Sequence, residues 1–315
     1  MISYHILSDA LKNKGDPAKL SPMTNWIPNH KTAFLILIIL LSFFPTISIG
    51  ESNDPSSPFQ SLIYRLSRDG FDSEFLSKLL TDARSELIPS LMTISLESRE
   101  TKDLYAQFLT QESISLSKNF LRQNLRLLRK AENSFRVEKE VVVAILLVES
   151  RFGENIGKFR VIPTLASMAL TDSPENLRRN FQALNEMDPE LSFEWLEVLS
   201  KRRADWAYQE LKCFLRIIRQ EKMDPLEVYG SYAGALGMPQ FIPSSYLAYA
   251  VSKKNLESWL LNKEEAIFSI GNYLKSHGWK KKLSIDKKRE VLWRYNHSDP
   301  YVETILQVAQ QIKKK

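Results

Sequence analysis

Apolar residues recur every three or four positions along most of the chain, and this spacing predicts helices rather than strands. Leu121, Leu125 and Leu128 follow the pattern. Residues 207–218 repeat it with alanine, leucine, phenylalanine and isoleucine. We therefore predict a mainly α fold.

Helix-capping residues flank several of these apolar segments. Asn262 precedes Glu265 by three residues, which is the spacing of a capping box at a helix N-terminus. Gly278 can end the same helix, because glycine readily adopts the left-handed conformation of a C-cap. Asp299 followed by Pro300 is typical of the first turn of another helix. The pattern thus predicts a series of separately capped helices.

An uninterrupted apolar run of eight residues, Val141–Val148, ends at Glu149. Its valines favour a strand, but its length and its helical flanks predict a buried helix. A carboxyl group at the end of such a helix is poorly solvated, which raises its pKa and allows it to act as a general acid near neutral pH. The alternative is that Glu149 lies at the solvated end of a core helix.

The segment Gly230–Tyr246, with the sequence GSYAGALGMPQFIPSSY, interrupts the helical pattern. Its glycines allow the backbone to approach a ligand closely, and its serines, tyrosines and glutamine supply hydrogen-bonding groups. This composition suits a carbohydrate-binding groove. The glycine spacing does not fit a dinucleotide or phosphate loop. A tight turn between packed helices is the alternative interpretation.

Composition limits the classes of function. The 315 residues carry a formal net charge of +6, with 43% hydrophobic and 25% charged residues, which is typical of a packed globular chain. Basic and aromatic residues are not interleaved as in a nucleic-acid groove, so no nucleic-acid partner is predicted. The single cysteine, Cys213, excludes an intrachain disulfide. Only His277 and His297 follow the N-terminal region, so a histidine-rich metal site is not predicted. No cofactor is predicted either.

The N-terminal region has the pattern of an export signal. Residues 1–32 are polar, whereas residues 33–44 are uninterruptedly apolar but short for a membrane span. We predict cleavage near Gly50, with an uncleaved anchor attached to a membrane through residues 33–49 as the alternative. Either interpretation predicts an exported protein of the periplasm or cell envelope.

Five segments in the same order resemble the lytic murein transglycosylase B family. They are VVVAILLVESRFGENIGKFRVIPTLASMAL from Val141, KRRADWAYQELKCFL from Lys201, GSYAGALGMPQFIPSSYLAYAV from Gly230, AIFSIGNYLKSHGW from Ala266 and RYNHSDPY from Arg294. A weaker match, YAQFLTQESI, begins at Tyr105. The resemblance covers roughly residues 60–312. It implies a lysozyme-like catalytic domain with a substrate groove between helical lobes.

The resemblance implies an enzyme that acts on the glycan strands of peptidoglycan. The family cleaves the β-1,4 bond between N-acetylmuramic acid and N-acetylglucosamine without water and leaves a 1,6-anhydromuramic end. Glu149, at the catalytic position, would act as general acid and then as base toward the C6 hydroxyl. A hydrolase needs a second carboxylate about 5–9.5 Å away, and none is evident in the matching segments. A muramidase-type hydrolase and a non-catalytic peptidoglycan-binding scaffold remain as alternatives.

The resemblance also implies a set of substrate contacts. Ser231 would orient Glu149 or the sugar, and Gln240 would contact an N-acetyl sugar. Arg202 and Arg203 would meet anionic groups such as stem-peptide carboxylates, which suit the guanidinium geometry. The remaining expected substrate-binding residues are Tyr273 and Tyr295 along the groove, Asn296 beside the acid, and Tyr105, from the weaker match, at a distal subsite. Core packing is the alternative role for each tyrosine.

The chain departs from the family pattern in two places. Some members carry a calcium loop with regularly spaced aspartates, whereas residues 251–265 are basic and lack these ligands, so no calcium site is predicted. Residues 172–200 look like an insertion, which could form a lid, a partner surface or an inert helical excursion. The predicted organisation is a signal segment at 1–50, a linker at 51–58 and a catalytic domain at 59–315.

Overall fold

The computed structural model describes residues 57–97, 100–186, 188–252 and 255–314. The predicted signal segment and most of the predicted linker lie outside these residues. The described ranges form fifteen α-helices and one two-stranded antiparallel sheet, so the prediction of a mainly α fold is confirmed. No helix within them is long and apolar enough to cross a bilayer.

The helices follow one another with short connections. In chain order they are α1 (Gln60–Arg68), α2 (Ser73–Leu80), α3 (Pro89–Glu97), α4 (Lys102–Ala106), α5 (Gln111–Gln123), α6 (Leu125–Phe135), α7 (Lys139–Ser150), α8 (Val161–Met168), α9 (Pro174–Asn185), α10 (Phe193–Ile218), α11 (Pro243–Tyr249), α12 (Leu256–Leu261), α13 (Lys263–Ser276), α14 (Ile285–Tyr295) and α15 (Asp299–Lys313). Short 3₁₀ turns are Gln107–Leu109, Arg151–Gly153 and Pro225–Glu227. The strands are β1 (Phe159–Arg160) and β2 (Tyr229–Gly230).

Helix α7 lies at the centre of the fold. Every residue from Val141 to Ser150 is buried, which explains why the sequence shows a continuous apolar run rather than an amphipathic stripe. Helix α15 packs along α7, and α5 and α6 also pack against it. The helix ends where Arg151 adopts a left-handed conformation with φ 48°. Glu149 is thereby held at the C-terminal end of a buried helix.

The predicted helix boundaries are confirmed in α13 and α15. Asn262 is the N-cap of α13, and its side chain accepts a hydrogen bond from the backbone N–H of Glu265 at 3.1 Å. Gly278 follows this helix with φ 98°, the left-handed conformation expected of a C-cap residue. Helix α15 begins at Asp299, and the side chain of Ser298 caps it.

The leucine spacing between residues 121 and 128 spans two helices. Helix α5 ends at Gln123 and α6 begins at Leu125, because Asn124 leaves helical geometry with φ −111° and ψ 19°. Leu121 and Leu128 nevertheless pack against the same core. The apolar spacing therefore did not indicate the break.

The glycine-rich segment Gly230–Tyr246 is fixed to the chain that follows α7. Strands β1 and β2 pair with Phe159 opposite Gly230. Gly157 has φ 100°, and a Cβ atom there would lie 2.0 Å from the backbone of Gly230. Only glycine at position 157 lets the two segments approach this closely.

We expect Gly157→Ala to lower the free energy of unfolding by about 2–4 kcal/mol, because the methyl group adds steric overlap to a strained backbone. Gly70→Ala is the matched control, since Gly70 has φ 89° but no heavy atom within 4 Å of an added Cβ. That control isolates the backbone strain, about 1–2 kcal/mol. Urea denaturation of both variants measures the difference. Equal losses would contradict the importance of the close approach.

Residues 172–200, the expected insertion, contain α9 and the first two turns of α10. Their apolar side chains form a second cluster apart from the main core, and Tyr232 of the glycine-rich segment packs against it. The cluster consists of Leu177, Leu184, Trp195, Leu196 and Leu199. Because α10 continues without a break to Ile218, part of the segment is an extension of the helix that carries the paired arginines.

Candidate active site

A cavity of about 570 Å³ opens beside Glu149 at the C-terminal end of α7. Its walls come from the end of α7, from the segment that follows this helix and from the glycine-rich segment. Ser231, Tyr232 and Gln240 line it together with Glu149. The fold therefore brings the predicted acid and two of the predicted sugar-binding residues to one cavity.

Glu149 is almost completely shielded from solvent. The residue is 5% exposed, and Tyr301 donates a hydrogen bond of 2.7 Å to its Oε1 atom. Burial raises the pKa of Glu149 from its ordinary 4.5 to about 8, and the hydrogen bond from Tyr301 opposes this rise. The carboxyl group is therefore mostly protonated at neutral pH and can donate a proton.

Three tyrosines form a buried wall next to the acid. The ring of Tyr301 stacks with that of Tyr295, with centroids 6.3 Å apart and an interplanar angle of 13°. Tyr105 meets Tyr301 edge to face at 6.2 Å. The hydroxyl of Tyr295 donates to the carbonyl of Pro239 at 2.7 Å. Burial raises the pKa of Tyr301 and of Tyr295 well above the usual value, so both hydroxyls keep their protons.

We expect Tyr301→Phe to lower kcat about tenfold or more, because a hydrogen bond to a charged group contributes about 1.5–3 kcal/mol. The carboxylate that forms after proton donation would lose its donor. The pKa of Glu149 should then rise, and the basic limb of the pH–rate profile should move to higher pH. Tyr208→Phe is the control, since that hydroxyl donates to Asp69 instead. An unchanged pH profile for Tyr301→Phe would argue against the contact.

A second carboxylate lies close to this wall. Glu100 accepts a hydrogen bond from the hydroxyl of Tyr105 and another, 3.1 Å long, from the side-chain amide of Asn296. Sequence reasoning missed Glu100, because it lies outside the matching segments and no local pattern marks it. It also missed Tyr301 as the partner of Glu149, although this residue ends the segment RYNHSDPY.

Ser231 and Gln240 each stabilise the conformation of the glycine-rich segment through hydrogen bonds to the backbone. The Ser231 hydroxyl oxygen accepts from the backbone N–H groups of Ala233 and Ala235 at 3.2 and 3.0 Å. The Gln240 amide donates to the carbonyl of Ile156 at 3.1 Å. The Ser231 hydroxyl proton and the Gln240 side-chain carbonyl are the groups that these bonds leave for a ligand.

The described part of the chain contains no group of three or more histidine, cysteine or acidic side chains that could hold a metal ion. The wall of the Glu149 cavity offers carboxyl, hydroxyl and amide groups. Two residues of the expected calcium-loop position, 253 and 254, lie outside the described residues.

Comparison with known proteins establishes the family. A family model described as a transglycosylase SLT domain matches residues 56–290. This chain belongs to the transglycosylase SLT family. One relative, the membrane-bound lytic murein transglycosylase B of Escherichia coli strain K12, is 30% identical over 244 residues, which is 73% of this chain. The chain covers 59% of the length of that relative.

Solved structures of lytic transglycosylases share the fold of this SLT-family chain. The soluble lytic transglycosylase SltB1 of Pseudomonas aeruginosa is 26% identical with a TM-score of 0.62, covering 80% of this chain and 97% of that one. The Escherichia coli lytic transglycosylase Slt35, solved in complex with calcium, is 25% identical with a TM-score of 0.62, covering 82% and 93%. The predicted lysozyme-like fold of this family is confirmed.

The paired arginines of this SLT-family chain are not among the residues that line the Glu149 cavity. Arg203 is 2% exposed, and its guanidinium group lies 4.5 Å from the centre of the Trp206 ring. Arg202, one residue earlier on α10, is half-buried. Of the two, only Arg202 presents substantial surface for an anionic ligand.

Tyr273 lines a second, larger cavity of about 920 Å³, which the end of the glycine-rich segment also lines through Ile242 and Ser244. Its hydroxyl donates to the carbonyl of Arg294 at 2.6 Å. Trp206 and Glu210 of α10 and Ser244 of α11 line the same cavity. Of the predicted substrate-binding residues, Ser231 and Gln240 line the cavity beside Glu149 and Tyr273 lines the larger one, whereas neither cavity is lined by Tyr105, Tyr295, Asn296, Arg202 or Arg203.

Proposed function

We propose that the chain is a lytic transglycosylase that cleaves the β-1,4 bond between N-acetylmuramic acid and N-acetylglucosamine in peptidoglycan and forms 1,6-anhydromuramic ends. Membership of the transglycosylase SLT family supports this proposal, as do the names of its relatives. The observation that carries it is Glu149, buried at the wall of a cavity with a pKa raised to about 8.

Glu149 acts twice in the proposed reaction. Its protonated carboxyl group first donates its proton to the glycosidic oxygen as the bond to C1 breaks, which releases the N-acetylglucosamine side with a new hydroxyl group. The resulting carboxylate then takes the proton of the C6 hydroxyl, whose oxygen bonds to C1 of the same muramic ring. Atoms balance without water, and Glu149 ends protonated as it began.

Tyr301 stabilises the carboxylate between the two steps, because a hydrogen bond to a charged acceptor is stronger than one to a neutral acceptor. Ser231 and Gln240 would hold the sugar beside the acid, since both line the same cavity. Arg202 and Arg203 would attract stem-peptide carboxylates, with Arg202 making the direct contact. Tyr273 would contact the glycan in the larger cavity, while Tyr105, Tyr295 and Asn296 support the buried wall.

The second carboxylate, Glu100, does not favour a muramidase. A hydrolase would need a second carboxylate that faces the sugar. Glu100 is not among the residues that line the Glu149 cavity, and Glu154, which does line it, is ion-paired with Arg151 at 3.1 Å. The proposal therefore keeps the C6 hydroxyl, rather than water, as the attacking group.

Export to the periplasm or cell envelope is part of the proposal, because the substrate lies there. The polar start and the apolar run at residues 33–44 support an export signal. Whether this signal is cleaved near Gly50 or kept as an anchor is tested by N-terminal sequencing of the protein recovered from the cell envelope. A mature N-terminus near residue 51 would mean cleavage.

The proposed function is tested by incubating the purified chain with peptidoglycan sacculi and weighing the soluble muropeptides by mass spectrometry. Products lighter by one water than hydrolytic muropeptides are expected. Products with hydrated reducing ends would move the protein to the muramidase class. Binding to sacculi without release of products would favour the scaffold alternative.

A further inference from the structure

The proposed reaction does not use Glu100, yet this residue accepts a hydrogen bond from Tyr105, whose ring packs against Tyr301, the donor to Glu149. Glu100 precedes α4 in the chain and is half-buried. Its two oxygens meet one local donor, the hydroxyl of Tyr105 in α4, and one donor that is distant in the chain, the amide of Asn296 at the end of α14. Asn296 is itself 1% exposed.

The carboxylate of Glu100 decides which way the Asn296 amide faces. A carboxylate only accepts hydrogen bonds, so the Asn296 amide must turn its NH₂ group toward Glu100. The Oδ1 atom of Asn296 then points away, and it is buried with no donor among the described residues. A buried acceptor without a donor is unfavourable, so the hydrogen bond to Glu100 is what keeps the Asn296 amide in this orientation.

The same carboxylate is coupled to Glu149 through the tyrosine wall. Tyr105, which donates to Glu100, packs its ring edge to face with Tyr301, and Tyr301 donates to Glu149. Burial is the main cause of the raised pKa of Glu149, and the negative charge of Glu100 adds to it. Like charges at one site favour the protonated form of the weaker acid.

We propose that Glu100 is a positioning residue for the reaction: its carboxylate fixes the orientation of the buried Asn296 amide and places a negative charge against the tyrosine wall that contacts Glu149. This inference rests on the proposed function. It assigns no direct contact between Glu100 and the substrate.

Other ionisable groups also face Glu149 and are part of its environment. Tyr301 and Tyr295 approach from α15 and α14, and Tyr105 from α4. The ionisable residues on the cavity wall besides Glu149 are Arg151, Glu154, Lys158 and Tyr232. Arg151 pairs with Glu154 at 3.1 Å, so these two charges largely offset each other. Glu100 is the nearby carboxylate whose negative charge adds to the raised pKa of Glu149.

Substitutions of Glu100 in the full chain distinguish the effect of its negative charge from the effect of its side-chain size. Glu100→Gln removes the charge and presents an amide that no longer fixes Asn296. We expect kcat to fall about tenfold and the basic limb of the kcat/KM profile to move to lower pH, because the pKa of Glu149 drops when the like charge is lost. Glu100→Asp keeps an acceptor-only anion, so its basic limb should stay at the wild-type pH.

Glu100→Ala removes both the negative charge and the hydrogen bond to Asn296. We expect it to lower kcat by about 10- to 100-fold with a smaller change in KM, as for a misplaced catalytic group. Asp103→Asn is the matched control, since Asp103 is an exposed carboxylate on α4, the short helix that follows Glu100. Its pH profile should match that of the wild type. If the alanine variant does not fold, the glutamine and aspartate variants still carry the test.

Two results would overturn the inference. If the pH profile of Glu100→Gln superimposes on that of the wild type, the charge of Glu100 has no influence on Glu149. If the pH profile of Glu100→Asp shifts like that of Glu100→Gln, the role of Glu100 is merely structural. Failure of the proposed function looks different, because the wild-type chain would then release no anhydro products at all.

Discussion

Replacing Glu149 by glutamine is expected to lower kcat on peptidoglycan by about 10³-fold or more while the fold stays intact. A positioned general acid contributes about 10²–10⁴ to the rate, and this residue is proposed to serve both as acid and as base. Glutamine has nearly the same shape, and it can still accept the hydrogen bond from Tyr301 that now reaches Glu149. The rate of soluble muropeptide release measures the effect.

The matched control is Glu154→Gln. Glu154 lines the same cavity, but its side chain is 63% exposed and pairs with Arg151. Replacing Glu154 by glutamine should change kcat by less than about threefold, in line with the small contribution of exposed ion pairs. If Glu149→Gln kept a tenth of the wild-type rate, or if both variants lost activity equally, Glu149 would not be the essential acid.

The same substitution, Glu149→Gln, is expected to stabilise the protein at alkaline pH. The folded protein holds Glu149 at a pKa of about 8, whereas the ordinary value is 4.5. A group whose pKa is raised by folding contributes its stability fully below the unfolded pKa, and this contribution is lost as the pH rises through the folded pKa. The wild type should therefore lose stability between about pH 4.5 and pH 8, and the glutamine variant should not.

Each pKa unit corresponds to about 1.4 kcal/mol, so the variant should gain up to roughly 5 kcal/mol in free energy of unfolding over the wild type at pH 8. The two proteins should be about equally stable at pH 4. Urea denaturation across this pH range measures both curves. A constant difference between the curves at all pH values would mean that Glu149 does not titrate with a raised pKa.

The centre of the fold could be predicted from local pattern alone. The continuous apolar run Val141–Val148 requires burial on all sides, and it carries Glu149 to the end of a buried helix. The cap at Asn262 and the turn at Gly278 follow from backbone chemistry that acts within a few residues. These features do not depend on distant parts of the chain.

The supporting contacts of the site could not be predicted in this way. Glu100 and Asn296 are 196 positions apart, and Tyr301 meets Glu149 across 152 positions. Neither pair follows a local spacing, because each depends on how whole helices pack. The burial of Arg203 has the same origin, since the spacing of three residues on α10 predicts its contact with Trp206 but not which other elements bury it.

The central claim is that the C6 hydroxyl of the substrate, and not water, attacks C1 after Glu149 has donated its proton. Digestion of peptidoglycan by the purified chain in ¹⁸O-labelled water, followed by mass spectrometry of the newly formed muramic ends, tests this claim most directly. We predict anhydro ends that contain no ¹⁸O. One ¹⁸O atom in each new reducing end would show attack by water and would contradict the account.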